Sequence, residues 1–102
     1  MAKRNRSTNF ETRTYSQNER QSTMNKITSY LRSLANRRAS GMVTADDVHN
    51  YLTRDGVRAE QVRTRLSFIN SVLRSPMFEQ IDTVTSSRPA AKGRSISAWT
   101  VA

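Results

Sequence analysis

The sequence predicts a small α+β domain, mainly α, with three helices followed by a C-terminal β-hairpin. Three observations carry this expectation. Ser16-Gln17-Asn18-Glu19 and Thr44-Ala45-Asp46-Asp47 are helix-start signals, each followed by apolar residues at helical spacing. A third helical run, Val62, Leu66, Ile69 and Leu73, lies between Gly56 and Pro76. Beyond Pro76 the pattern shifts to β-branched and aromatic residues in two runs separated by a polar loop. The 102 residues suffice for one domain and not for two.

Residues 1–15 hold Lys3, Arg4, Arg6 and Arg13 among Ser, Thr and Asn, with only Phe10 and Tyr15 as bulky apolar residues. Such a segment cannot bury enough surface to offset its ordering entropy, so a flexible basic arm is expected there, with the folded domain spanning 16–102. In the first helix Met24, Ile27, Leu31, Leu34 and Ala35 share one stripe, and Ser40-Gly41 marks its stop. Met42-Val43 is a short apolar pair suited to one isolated strand. Thr44 caps a second helix of about ten residues, in which Asp46 and Asp47 complement the helix dipole and Val48, Tyr51 and Leu52 form the buried face. Gly56 ends it. The third helix is expected over about Ala59 to Arg74, stopped by Pro76. Strands are expected at Phe78–Thr85 and Ser95–Val101, joined by a loop carrying Pro89 and Gly93. Trp99 on the last strand would close the core between sheet and helices.

Charge is the loudest compositional signal. Seventeen Lys and Arg stand against eight Asp and Glu, a formal net charge of +9. Only Lys3, Lys26 and Lys92 are lysines, and the other fourteen cations are arginines. The planar guanidinium suits bidentate contact with phosphate and guanine. This balance points to nucleic acid, or to an acidic protein partner.

Other classes find little support. Without cysteine there is no disulfide, thiolate metal site or cysteine nucleophile, in keeping with a reducing, cytoplasmic or nucleoid-associated setting. No run approaches the roughly 18 apolar residues of a membrane span. His49 is the single histidine, with a surface position as its default, and no cluster suits a metal, a nucleotide phosphate or another cofactor. No enzymatic activity is expected. The acidic pair Asp46-Asp47 is read as helix-terminal charge.

With Thr44 to Leu73 as two helices about the turn Arg54-Asp55-Gly56-Val57, and Phe78 to Val101 as a hairpin, the chain resembles the winged helix-turn-helix superfamily over about Ser16 to Val101. The resemblance is one of topology and pattern. It implies that the third helix enters the major groove of double-stranded DNA, with the hairpin as the wing against phosphates or the minor groove. With Val62, Leu66, Ile69 and Leu73 buried, the helix start would offer Arg58, Gln61, Arg63, Thr64 and Arg65. Gln61, Thr64 and Phe68 fall to one side of that stripe, and Arg63, Ser67, Asn70 and Arg74 to the other. Phe68 is expected to pack rather than to stack on a base. The wing loop adds Arg88, Lys92 and Arg94, and the arm adds Lys3, Arg4 and Arg6.

The function expected is sequence-specific or semi-specific binding of double-stranded DNA, as a small transcriptional regulator or genome-accessory factor of bacterial or viral type. The alternative is an adaptor or inhibitor that docks a DNA-handling machine through the same basic surface. Few exposed aromatics are expected, which weighs against single-strand or RNA reading. A homodimer through the hairpin edge or the first helix stays open.

Overall fold

The computed structural model describes residues 14–102. Lys3, Arg4 and Arg6 lie outside the described residues. The expected fold class is present. Helix α1 spans Gln17–Arg37, strand β1 Val43–Thr44, helix α2 Ala45–Arg54 and helix α3 Val62–Leu73. The hairpin follows as β2 (Phe78–Thr85) and β3 (Ser95–Val101), with a 3-10 turn at Pro89–Ala91 in its loop.

The helix starts obey the local chemistry of the sequence. The Ser16 hydroxyl accepts the Glu19 N–H at 3.1 Å, and Glu19 returns the bond to the Ser16 N–H at 3.2 Å. Thr44 and Asp47 form the equivalent reciprocal pair at α2. These bonds satisfy backbone donors that a helix end leaves free. Asp47 does more than cap. It is buried, and Arg38 grips it through two nitrogens at 2.9 and 2.8 Å, fastening the end of α1 to the start of α2.

The three strands form one antiparallel sheet in the order β1-β3-β2. The first strand is not isolated and begins one residue later than the apolar pair suggests. Val43 pairs with Trp99 and Thr44 with Ala98. A register shift between Gln80 and Asp82 leaves Ile81 without a partner and exposed. Helix, strand, two helices and a hairpin, with β3 central, are consistent with a winged-helix topology.

All three helices and the sheet feed one core. Ile27 and Leu31 of α1, Val48 and Leu52 of α2, Phe68 of α3 and Val43 of β1 are completely buried. Each such side chain contributes about 1.5–3 kcal/mol of transfer free energy. Phe68 packs as expected, with the Tyr15 ring edge-on at 4.9 Å and the Arg20 guanidinium 4.6 Å above its ring. Tyr15, assigned to the arm by composition, therefore belongs to the domain. Trp99 is partly buried against the core.

Helix α3 departs from the expected phase. Its buried residues are Arg65, Phe68, Ile69, Val72 and Leu73, whereas Val62 and Leu66 are 56% and 48% exposed. It also starts at Val62 rather than near Ala59, so residues 55–61 form the connection from α2. The physical reason is Phe68. Burying that ring turns the helix so that 65, 68, 69, 72 and 73 share the inner face, with Val62 and Leu66 displaced outward.

Candidate nucleic-acid interface

The connection between α2 and α3 is built around Arg65, which is only 5% exposed. Its guanidinium has five N–H donors. Nε donates to the Arg58 carbonyl at 3.1 Å, and Nη1 to the His49 carbonyl at 3.3 Å and His49 Nδ1 at 3.0 Å. Nη2 donates to Thr53 Oγ1 at 2.9 Å and to the Val57 carbonyl. Every donor is used. Arg65 is not an available cation flanking the buried stripe, as the hydrophobic spacing predicts, but lies within the buried face of α3. It fastens the end of α2 and the 57–58 segment to α3, and so sets how the two helices meet. From the other side the Tyr15 hydroxyl donates to Asp55, and the Val57 N–H bonds the Leu52 carbonyl at 2.9 Å. Gly56 takes φ +87°, a conformation that L side chains rarely adopt.

His49 is a partner of this cage and half-buried, not a surface residue. A guanidinium only donates, so Nδ1 must carry the lone pair and the imidazole must be neutral with its proton on Nε2. Burial pushes its pKa down to about 4, with the Arg88 and Arg65 charges adding to the effect. Arg65 is itself shifted below the usual arginine range by burial and then by the Arg88 charge. The hairpin loop thus lies close enough to the start of α3 for Arg88 to be felt by both groups.

Arg88 is held there by Asp46. The buried Asp46 carboxylate accepts the Ser86 hydroxyl at 2.9 Å, the Ser87 N–H at 2.8 Å and Arg88 Nε at 3.1 Å. Burial alone would raise this carboxyl, yet the hydrogen bonds from Ser87, Ser86 and Arg88 hold it below the usual carboxylate range. The first turn of α2 therefore anchors the hairpin loop. Lys92, at φ +51°, and Gly93, at φ +76°, turn the loop back towards β3.

The sequence-derived cations divide into two groups. Arg65 and Arg88 are bound within the framework. Arg63, Lys92 and Arg94 are exposed and have no carboxylate partner among the described residues. Arg58 is exposed and pairs loosely with exposed Glu60 at 3.6 Å. Gln61 is the residue before α3, and its side chain accepts the Arg58 N–H at 3.0 Å. It gives α3 no side-chain cap, and the Val62 N–H bonds the Glu60 carbonyl at 2.8 Å instead. Thr64 is half-buried. Across the outward face Val62, Arg63, Leu66, Asn70 and Arg74 are all exposed, while Ser67 accepts Arg20 Nη2 at 2.6 Å. The exposed Val62 and Leu66 were hidden from sequence reasoning by their apolar character. The aromatic at Phe68 was the signal that could have corrected the phase.

No protein-family model, curated protein or solved structure matches the chain. Fold shape alone does not assign a function. Among the described residues no three His, Asp or Glu side chains gather as a metal site would need, and no helix is long and apolar enough to cross a membrane.

Proposed function

We propose that the chain is a winged helix-turn-helix module that binds double-stranded DNA, with the outward face of α3 in the major groove and the hairpin loop along nearby phosphates. One observation carries this reading. Arg65 and Arg88 are consumed in fixing α3 and the hairpin loop beside one another, while Arg63, Lys92 and Arg94 on those same elements stay exposed without carboxylate partners among the described residues. Cations held unpaired on rigid elements suit a polyanion.

The mechanism divides the contacts. Lys92 and Arg94, with Arg58, neutralise phosphates and release counterions, which makes binding salt-dependent and sets orientation. Arg63 and Asn70 face bases, where arginine bridges guanine O6 and N7 and asparagine bridges adenine N6 and N7. A duplex is favoured over a single strand because no aromatic ring among the described residues is in the exposed class. Phe68, Tyr15 and the Tyr30–Tyr51 pair are engaged within the fold. The role is one of binding rather than catalysis, as a small regulator or genome-accessory factor.

The test is a salt titration of binding to random duplex DNA, single-stranded DNA and RNA. Preference for duplex, with log affinity falling linearly against log salt, supports the reading. Binding to none of the three, together with stoichiometric capture of an acidic protein, replaces it with the adaptor role.

A further inference from the structure

We infer that Val62 and Leu66 are specificity residues that contact thymine 5-methyl groups in the major groove; this rests on the duplex-binding reading above. The core of α3 is complete without them, since Phe68, Ile69, Val72 and Leu73 fill its inner face. Two large aliphatic side chains nonetheless stand about half in water, at 56% and 48% exposure. They sit four residues apart on one side of the helix, with Arg63 and Asn70 exposed beside them.

The occupant of this surface must meet two requirements together. The neighbouring charge of Arg63 calls for an anion, while Arg58 and the nearby acid, Glu60, offset one another at 3.6 Å. The aliphatic pair calls for an apolar group. A duplex major groove offers both, because thymine presents its methyl group there between flanking phosphates. Four residues of helix advance about 6 Å, far enough for Val62 and Leu66 to meet methyl groups on different base pairs.

The experiment first selects a preferred site from a random duplex pool with the full chain. Each thymine of that site is then replaced singly by deoxyuridine, which removes the 5-methyl group and keeps base pairing. Wild type is expected to lose about fourfold in affinity at one or two thymines, the value of one buried methyl. Val62→Ala and Leu66→Ala should each abolish the discrimination at one of those positions while keeping the wild-type salt slope and circular dichroism. A selected site lacking thymine, equal wild-type binding to thymine and deoxyuridine duplexes, or discrimination that survives in both variants overturns the inference and leaves duplex binding intact. Loss of self-association in the two variants, with thymine discrimination unchanged, assigns the pair to a protein contact and overturns it too. Failure of wild type to bind any duplex removes the underlying reading as well.

Discussion

At the scale of single residues, two arginines two positions apart do opposite work. Arg65 satisfies all five of its donors inside the fold, so Arg65→Met leaves the Val57 and Arg58 carbonyls and Thr53 short of a partner. Urea denaturation should show a loss of about 3 kcal/mol, in the range for hydrogen bonds to a charged group. Arg63→Ala should change stability by no more than about 0.5 kcal/mol and weaken duplex binding. His49 adds a pH signature. Its folded pKa of about 4 lies below the ordinary histidine value of 6.5, so between these values the unfolded chain binds more protons. The neutral-histidine contribution is fully present above pH 6.5 and is lost as pH falls towards 4. Stability should decline across that window, and His49→Gln should flatten the decline. Arg65 also shows where sequence reasoning stops. An arginine in a helical pattern reads as surface, and only the folded chain brings the carbonyls of 49, 57 and 58 to one point.

At the scale of elements, strongly local signals were legible. A capping box at Ser16 and a capping threonine at Thr44 mark the starts of α1 and α2, and β2 and β3 fall at Phe78–Thr85 and Ser95–Val101 as the change of period predicts. The phase of α3 was not. Two stripes compete along it, and they share Ile69 and Leu73. One adds Val62 and Leu66, the other Arg65, Phe68 and Val72, and the arginine weighs against the second although Phe68 and Val72 favour it. The anchoring of the hairpin was equally hidden, because Asp46 and Ser86 are 40 positions apart. That anchor gives a prediction. Asp46→Ala should leave α1 protected while amide hydrogen exchange quickens at Ser87 and through the hairpin loop, at a global cost of about 1–3 kcal/mol. Because the folded pKa of Asp46 is depressed, its contribution is present above the unfolded carboxylate value of about 3.9 and is lost as pH falls through its lower folded value. Acid should therefore act first through His49 and then, at lower pH, through the hairpin anchor.

At the scale of the whole molecule, three helices and a hairpin close one core. The net charge of +9 leaves more cations than the fold can pair. The fold class and the basic character were both readable from sequence. Which cations are free became visible only once Arg65 and Arg88 were seen to be bound. The most direct test of duplex binding through this surface is the affinity of a random duplex across a salt series, measured for wild type and for the Arg63→Ala/Lys92→Ala/Arg94→Ala triple variant. The variant should keep the wild-type circular dichroism, bind more weakly, and show a log–log salt slope shallower by about 2, near 0.9 for each phosphate no longer neutralised. A folded triple variant with wild-type affinity and slope would contradict the assignment.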